Sequence, residues 1–406
     1  MISIQEALDI IQANLPEPAS QECFLEQALG KHLAADLEAP EPSPRYTNSA
    51  MDGFAVRWED IAAATAEAPV TLELVGESRA GHPYAGQVGP GQAIRISTGA
   101  VFGNGCDTVV KVEDTSEAGE GAVSIRGPQA SDQNIRYAGE EFQAGDMLLR
   151  RGAKVNAAAA ALLAAVGQAR VQVYRPARVA VLVTGSELVA VGEAIADYQI
   201  RDSNMIMLQA AALEAGAAIT AARRISDELP ATQEAIGAVE ADIILCSGGV
   251  SMGKHDHVKE AAEANGFERL FWRIRQKPGK PLYLAKKGNT LLFGLPGNPV
   301  SAFLCFIHYV RPVITAMKGL PFGYATLPGR AAVDIHNRGK RDNMIRGRVV
   351  RDPQGCYAFT PLKKQNSHML TSLTGGNGYI VLAPNQALPA GSECEIYRYD
   401  FSDETI

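Results

Sequence analysis

The chain has 406 residues, of which 46% are hydrophobic and 20% charged, and its formal net charge is −7. This composition predicts a globular protein of about two to four domains and excludes a wholly disordered chain. The acidic balance also argues against general nucleic-acid binding, which depends on basic surfaces.

No targeting or membrane segment is predicted. The first residues lack a basic segment followed by an apolar one, which argues against a secretory signal. No run reaches the roughly 20 strongly apolar residues that a membrane span needs. The cysteines are widely spaced and form no Cys-x-x-Cys pair; they are Cys23, Cys106, Cys246, Cys305, Cys356 and Cys394. We therefore expect a protein of the reducing cytoplasm.

The N-terminal part of the chain is predicted to begin with a helix. Ser3 and Glu6 have the spacing of a capping box, and apolar residues follow at helical intervals. Pro16 and Pro18 end this helix, and the proline-rich stretch 38–44 marks a boundary.

A small β module is predicted over residues 46–138. Its β-like runs alternate with Gly and Pro turns and are Val70–Val75, Ala93–Ile96, Thr108–Val112 and Ala122–Ile125. A second helix is predicted at Val155–Gly167. If it packs beside the first helix, the β module is an insertion into a helical domain made of residues 1–45 and 139–177.

Between residues 178 and 325 apolar strands alternate with helices. The predicted strands are Val179–Val183, Ala218–Ala221, Ile243–Cys246, Pro281–Leu284 and Thr290–Phe293. The predicted helices are Ser203–Ala215, Asp227–Glu240, Asp256–Asn265 and Val300–Lys318. This alternation predicts a doubly wound, mostly parallel α/β domain with helices on both faces. Short alternating runs after Pro321 predict a C-terminal β-barrel over residues 326–406.

Small residues and a carboxylate follow two of the predicted parallel strands. The first turn is Thr184-Gly185-Ser186-Glu187, and the second begins Ser247-Gly248-Gly249 and leads to Asp256. Ligands of open α/β sheets bind beyond the carboxyl ends of the strands, where glycine N–H groups hold phosphate and carboxylates hold Mg²⁺. Each turn alone is equally typical of a tight loop with a helix-capping acid. For Asp227, an N-cap is the simpler interpretation.

Two further loops are predicted to be rigid. Lys277-Pro278-Gly279-Lys280-Pro281 presents two fixed positive charges, which suits an oxyanion, although a solvated basic turn has the same composition. Pro296-Gly297-Asn298-Pro299 precedes the long helix, with Pro299 at its first position. The free N–H groups of that helix are then expected to face the ligand.

Two further features leave alternatives open. The basic stretch Arg330–Arg351 is either a solvated face or an anion-binding surface. His255 and His257 have the spacing of zinc ligands but lack a nearby third ligand, so we favour two loop histidines beside Asp256. No Ser/His/Asp triad signature is present.

Together these motifs resemble the molybdopterin molybdenumtransferase family, MoeA, which includes the E domain of gephyrin. The family motifs occur in order along nearly the whole chain, as Asn48–Ala55, Ser97–Ala100, Ile135–Glu140, Thr184–Leu188, Ser247–Gly253 with Asp256, Lys277–Pro281, Pro296–Ser301 and Ser367–Met369.

The resemblance implies four subdomains in a homodimer, with an α/β molybdopterin-binding domain like that of the adenylyltransferase MogA. It implies an active site where the α/β domain of one subunit meets the β modules of the other. The implied reaction inserts molybdenum from molybdate into adenylylated molybdopterin, with Mg²⁺ as cofactor and AMP as product. Transient contact with the adenylyltransferase and with molybdoenzymes is also expected.

Motif positions give the residue roles that the resemblance implies. Glu187, Asp227 and Asp256 are assigned to Mg²⁺ binding and pyrophosphate cleavage, and Asp52 is a further catalytic residue. The substrate-binding residues are Thr98, Gly248, Gly249, Ser251, Lys277, Lys280, Pro296, Asn298, Pro299 and Ser367. Asp52 and Ser367 are expected to come from the partner subunit.

Three positions depart from the family pattern. Ser186 replaces an Asp, Glu141 replaces the Asp of a Gly-Glu-Asp motif, and residues 338–344 lack the usual aromatic side chain. The first departure predicts weaker metal binding at Glu187. Two alternative functions are a molybdopterin adenylyltransferase, which would not need the additional domains, and a non-catalytic scaffold of the gephyrin type, which would not need the acids and lysines.

Overall fold

A computed structural model describes residues 1–127, 129–250, 257–324, 326–352 and 354–399. The chain forms two compact units, one made of Met1–Ala34 and the chain from Arg170 onward, the other of Ala35–Ala169. Three residues discussed above, Ser251, His255 and Asp256, lie outside the described residues.

The chain begins with α1 (Ile4–Ala13), β1 (Ser20–Phe24) and α2 (Leu25–Ala28). The predicted capping box is confirmed: Ser3 Oγ accepts the Glu6 N–H at 3.1 Å, and Glu6 Oε2 accepts the Ser3 N–H at 2.6 Å. Ala7 and Ile11 on one face of α1 are fully buried and belong to the largest apolar core of their unit.

The second unit is built around a six-stranded sheet. The strands of the whole unit are β2 (Leu37–Glu38), β3 (Asn48–Ser49), β4 (Gly53–Val56), β5 (Val70–Ser78), β6 (Gln92–Ile96), β7 (Thr108–Lys111), β8 (Thr115–Glu117), β9 (Ala122–Ile125), β10 (Ile135–Arg136) and β11 (Met147–Leu149). Its helices are α3 (Trp58–Ile61) and α4 (Ala157–Ala165), with a 3₁₀ turn at Val112–Asp114. The sheet order is β7-β4-β6-β5-β9-β8, while β2 pairs with β11 and β3 with β10. The predicted β module is therefore present, and the chain enters and leaves it along paired segments.

The α/β part follows from Arg170. Its strands are β12 (Arg170–Tyr174), β13 (Arg178–Thr184), β14 (Leu188–Val189), β15 (Ile200–Arg201), β16 (Ala218–Ile225), β17 (Ile243–Ser247), β18 (Glu268–Trp272), β19 (Gln276–Lys277), β20 (Tyr283–Lys287) and β21 (Thr290–Leu295). Its helices are α5 (Ser203–Glu214), α6 (Leu229–Gly237), α7 (Val258–Ala264), α8 (Pro299–Cys305) and α9 (Arg311–Ala316), with a π-helical turn at Phe306–Val310 between the last two. β12 pairs antiparallel with β1.

The main sheet of this part has the order β16-β13-β17-β21-β20-β18. The first four strands are parallel, and β20 and β18 are antiparallel to their neighbours. Along β13, Val181 packs into one apolar core and Leu182 into another on the opposite face. A strand with both faces buried is what a doubly wound sheet requires, so the predicted α/β architecture is confirmed.

One helical run, Pro299–Ala316, is long and apolar enough to cross a membrane by composition alone. In the fold, 72% of this run is buried inside the protein, where it covers the main sheet. Its apolar character is therefore accounted for by its place in the core.

The C-terminal part is a small barrel. Its elements are β22 (Thr326–Ala331), β23 (Ile335–His336), β24 (Asp342–Arg351), β25 (Tyr357–Pro361), α10 (Thr371–Thr374), β26 (Gly378–Leu382), β27 (Ala387–Leu388) and β28 (Glu393–Arg398). The ladder β24-β25-β22-β28-β26 closes on itself because β26 also pairs with β24. Phe359, Ile380 and Ile396 fill its core. The predicted β-barrel is confirmed.

Candidate functional site

The turns predicted to carry chemistry lie along one edge of the main sheet. The parallel strands β13, β16, β17 and β21 all end at this edge. The turn Lys277–Pro281 reaches the same edge because it precedes β20, which runs antiparallel to β21. The turns that follow Thr184, Ile225, Ser247 and Leu295 thus lie at the same edge as the turn that carries Lys277 and Lys280.

A cleft of about 510 Å³ opens over the end of β13, and we call it the carboxylate cleft. Its walls include Thr184, Glu187, Asn204, Ser247, Asn298 and His368. The Glu187 side chain is exposed, whereas Thr184 at the floor is only 8% exposed. A solvent-facing carboxylate above buried polar groups suits a cation that also contacts an anionic ligand.

Asp227 lies beside the turn that carries Glu187. Its Oδ2 accepts the backbone N–H of Ser186 at 2.7 Å, although the two residues are 41 positions apart. The interpretation of Asp227 as an N-cap is wrong: α6 begins at Leu229 and its N-cap is Glu228, which makes no side-chain capping bond. The structure therefore brings two of the predicted metal ligands, Glu187 and Asp227, to adjoining turns.

The glycine-rich turn packs tightly against the end of β13. Gly248 has a φ of +92°, and a Cβ atom there would lie 2.6 Å from the Thr184 carbonyl oxygen. Its N–H donates to the Leu295 carbonyl at 3.1 Å, and the Gly249 carbonyl accepts the Val258 N–H at 3.2 Å. Gly248 is needed for this close approach, which joins the ends of β13, β17 and β21.

Sequence reasoning missed Asn204, on the first turn of α5. Its Nδ2 donates to Ser247 Oγ at 2.9 Å and to the Gly297 carbonyl at 2.7 Å, so it ties two loops of the cleft together. Within the described ranges, Asn204 Oδ1 and Thr184 Oγ1 are buried without a hydrogen-bond partner. A buried polar atom left unpaired is costly, and because both residues line the cleft, these two atoms are buried next to it. A lone Asn at the start of an apolar helix was the signal available in the sequence.

A second cleft, of about 360 Å³, lies next to the first, and we call it the lysine cleft. It is lined by Lys277, Lys280, Pro296, Ser301, Arg341 and Ser367, and it shares Asn298 and His368 with the carboxylate cleft. Both lysine side chains are exposed. Three cationic side chains around one cleft favour an anion there.

The basic stretch Arg330–Arg351 divides between several roles. Arg341 lines the lysine cleft, and Arg346 is fully buried in the barrel. The remaining basic residues are exposed, namely Arg330, Arg338, Lys340, Arg348 and Arg351. Five of the seven basic residues thus fit the solvated-face interpretation, and anion binding stays a prediction for Arg341.

The loop before the long helix is fixed from both sides. Pro299 occupies the first helical position, as predicted. The Val300 N–H, however, donates to the Ser367 carbonyl at 3.1 Å and is not available to a ligand. This bond places Ser367 at the lysine cleft of its own chain, so Ser367 needs no partner subunit to reach the predicted site.

Two predicted site residues meet in the other compact unit. Asp52 Oδ1 accepts the Thr98 backbone N–H at 2.7 Å, and both side chains are exposed. The pairing fixes the loop after β6 to the start of β4. It leaves one carboxylate oxygen of Asp52 and the Thr98 hydroxyl at the surface.

Among the described residues, no group of three or more His, Cys, Asp and Glu side chains is arranged to hold a metal ion. A zinc site built wholly from those residues is therefore not present. The assignments of Ser251 and Asp256, and the His255 half of the His-x-His pair, fall outside the described ranges.

Three family models match the chain and together cover most of it. The MoeA N-terminal region (domain I and II) matches residues 2–167, and a probable molybdopterin binding domain matches residues 180–316. The MoeA C-terminal region (domain IV) matches residues 328–399.

Proteins named molybdopterin molybdenumtransferase are similar over almost their full length. The protein from Haemophilus influenzae is 33% identical over 388 residues, which cover 94% of each chain. The protein from Bacillus subtilis is 35% identical over 367 residues, which cover 88% of this chain and 84% of that one.

Solved structures agree with these matches. A molybdopterin biosynthesis MoeA protein from Pyrococcus horikoshii superposes with a TM-score of 0.86 at 26% identity, covering 98% of this chain and 99% of that one. A molybdenum cofactor biosynthesis protein from Pyrococcus furiosus has the same fold, with a TM-score of 0.59 at 18% identity.

Proposed function

Because the chain belongs to the molybdopterin molybdenumtransferase family, MoeA, we propose that it transfers molybdenum from molybdate to adenylylated molybdopterin and releases AMP. Family membership makes it an enzyme of molybdenum cofactor biosynthesis. The finer reaction and the residue roles are our proposal.

The observation that carries the proposal is the adjacency of two clefts of opposite character. Asn298 and His368 line both the lysine cleft and the carboxylate cleft. The proposed substrates are a tetrahedral dianion and a pterin that bears a diphosphate. Two anions repel each other, so a site that joins them needs fixed positive charge near the smaller one and a cation near the larger one.

In this account Lys277 and Lys280 hold molybdate, with Arg341 lining the same cleft. The diphosphate lies in the carboxylate cleft, whose lining includes the polar residues Thr184, Asn204 and Ser247. Because the two clefts share Asn298 and His368, the bond to be cleaved then lies next to the lysine cleft.

The donor set fits Mg²⁺. Glu187 is exposed in the carboxylate cleft, and Asp227 uses only Oδ2 for its bond to Ser186, which leaves Oδ1 for a ligand. Mg²⁺ is commonly held by one or two carboxylates together with substrate phosphates, which is the kind of donor set that these two residues would supply. Asp256 is proposed as the third carboxylate. When bound, the ion would neutralise charge on the diphosphate as its phosphorus–oxygen bond breaks.

We propose further that the protein is a cytoplasmic homodimer, in which Asp52 and Thr98 of one subunit act at the site of the other. Their mutual hydrogen bond gives them a fixed geometry, which a shared site requires. Sedimentation is the direct test: a single species at the dimer mass is expected, and a fully active monomer would contradict the proposal. Transient contact with the adenylyltransferase and with molybdoenzymes belongs to the same proposal.

Substrate pairs separate this function from its alternatives. Incubation with adenylylated molybdopterin and molybdate should yield AMP. A molybdopterin adenylyltransferase would instead release pyrophosphate from ATP and molybdopterin, and a pure scaffold would turn over neither pair. Release of pyrophosphate from ATP and molybdopterin, with no release of AMP from adenylylated molybdopterin, would overturn the proposal.

A further inference from the structure

A buried polar network lies directly beneath the lysine turn. Gln276 is fully buried, although it immediately precedes Lys277. The Tyr309 hydroxyl donates to Gln276 Oε1, and Gln276 Nε2 donates to Cys305 Sγ at 3.6 Å. Tyr309 and Cys305 are also fully buried, on the long helix that follows the Pro296–Pro299 loop.

The protonation states of the network are fixed by its surroundings. Burial raises the pKa of the Tyr309 hydroxyl well above its usual value. Burial likewise raises the pKa of the Cys305 thiol to about 12. Both groups therefore stay protonated, and the Gln276 amide is hydrogen-bonded at both ends, through Oε1 to Tyr309 and through Nε2 to Cys305. Displacing this amide is costly, because it would break bonds in the interior where water cannot replace them.

The lysine turn, Lys277–Pro281, packs directly against this network, with no room for a side chain at Gly279. Gly279, between the two lysines, has a φ of +90°, and a Cβ atom there would lie 2.5 Å from Cys305 Sγ and 2.6 Å from Gln276 Nε2. The Cys305 thiol also lies 3.9 Å from the Gly279 carbonyl oxygen, to which it donates. A shift of the amide or the thiol therefore moves the turn itself.

The backbone of Gln276 also holds the third cationic residue of the cleft, Arg341. Its carbonyl oxygen accepts a hydrogen bond from Arg341 Nη1 at 3.1 Å. β19, which contains Gln276 and Lys277, pairs in parallel with β24 of the barrel. One residue thus contacts the core helix through its side chain and the cationic Arg341 through its backbone.

We propose that Gln276, Tyr309 and Cys305 are positioning residues that set the spacing of the cationic groups around the lysine cleft and thereby its affinity for the oxyanion. This inference rests on the proposed function. None of the three touches the substrate, since all are fully buried. Their effect is expected on oxyanion binding, where charge placement matters most, more than on the subsequent chemistry.

The experiment compares two Tyr→Phe changes in the same compact unit. Tyr309→Phe removes the donor to Gln276. Tyr283→Phe is the matched control, because Tyr283 is also fully buried and its hydroxyl has no hydrogen-bond partner within the described residues. Gln276→Leu is the stronger variant, and Tyr309→Phe decides alone if Gln276→Leu does not fold. The readouts are KM for molybdate and kcat for AMP release, with thermal unfolding measured in parallel.

Tyr309→Phe should raise KM for molybdate roughly three- to thirty-fold, the size of one lost hydrogen bond, while kcat changes much less. Tyr283→Phe should leave both constants near wild type. The inference is wrong if the wild type and Tyr309→Phe have the same KM, or if both Phe variants raise it equally. An inactive wild type would instead refute the proposed function, and the inference with it. Lys277→Ala in the same assay separates the two failures. If it raises KM for molybdate and Tyr309→Phe does not, the inference alone is wrong.

Discussion

The carboxylate of Asp227 accepts the backbone N–H of Ser186 at 2.7 Å, and this bond joins the turns that end two neighbouring parallel strands. Ser186 stands next to Glu187, so the bond brings two acids to one edge of the sheet, and neither forms a salt bridge with a base among the described residues. Two carboxylates on adjoining turns suit a cation that also contacts an anionic substrate.

Asp227→Asn tests this arrangement. The amide oxygen can still accept the Ser186 N–H, so the turn should persist, but the negative charge is lost. We expect AMP release to fall by roughly a hundred-fold or more, as for loss of a group that stabilises transition-state charge, with little change in Tm. Glu228→Gln is the control, because this neighbouring acid is exposed and makes no capping bond. Wild-type turnover by Asp227→Asn would assign Asp227 a purely structural role.

Lys277→Ala and Lys280→Ala should weaken oxyanion binding while the fold is retained. Both side chains are exposed in the lysine cleft, so little packing is lost. A charge-assisted contact contributes roughly 1.5–3 kcal/mol, which corresponds to a ten- to hundred-fold rise in KM for molybdate. The control is Lys287→Ala, at the opposite end of β20 from the cleft. Unchanged molybdate dependence in both cleft variants would refute the assignment.

His308 should make the protein less stable in mild acid. It is 1% exposed beneath the barrel, and burial, with a smaller contribution from the charge of Arg311, lowers its pKa to about 3. In the unfolded chain the imidazole has its usual pKa of about 6.5. Between pH 6.5 and pH 3 the unfolded chain therefore holds more protons than the folded chain. The free energy of unfolding therefore falls as the pH drops from about 6.5 toward 3, by at most about 1.4 kcal/mol per pH unit from this residue.

Denaturant unfolding between pH 7 and pH 4 measures that slope. His308→Phe keeps an aromatic ring against Tyr324, which stacks on His308 at 4.8 Å between centroids, but it removes the titration. The variant should show a shallower loss of stability with acid than the wild type. His82→Phe, at an exposed position of the other unit, should leave the slope unchanged. Identical slopes for the wild type and His308→Phe would contradict the explanation.

Asp242 should be the most stabilising acid at the amino ends of the main sheet. It is 5% exposed and accepts hydrogen bonds from Arg175 Nη2 at 3.0 Å and from the Arg178 backbone N–H at 2.7 Å. Asp242→Asn leaves two guanidinium groups, those of Arg175 and Arg178, without their counter-charge, and we expect a loss of about 2 kcal/mol in the free energy of unfolding. Glu22→Gln breaks a pair with Arg170 whose side chains are each 51% exposed, and should cost less than about 1 kcal/mol. Equal losses in both variants would show that burial adds nothing to the Asp242 pair.

The sequence was sufficient for the architecture because its signals are local. The capping box at Ser3, the apolar runs of β13 and β17 and the helix start at Pro299 each depend on neighbouring residues. The edge strand β18 was missed, since Glu268–Trp272 is short and is recognised only by its antiparallel pairing with β20.

The site was predictable in part for the same reason. The carboxyl ends of parallel strands place Glu187 and Gly248 at one edge whatever the remaining contacts are. Asn204, Gln276 and Arg341 could not be found in this way, because their roles depend on contacts between residues 29 to 93 positions apart. The bond from Asp227 to Ser186 belongs to the same class, and without it an N-cap remained the simpler interpretation.

The central claim is that the two adjoining clefts couple an oxyanion to the cleavage of a diphosphate. It is tested most directly by following AMP release from adenylylated molybdopterin at increasing molybdate concentration. We predict almost no AMP without molybdate, a saturable rise with it, and one AMP for each molybdenum bound in the product. AMP release at the same rate with and without molybdate would contradict the coupling, and so would a complete lack of AMP at saturating molybdate.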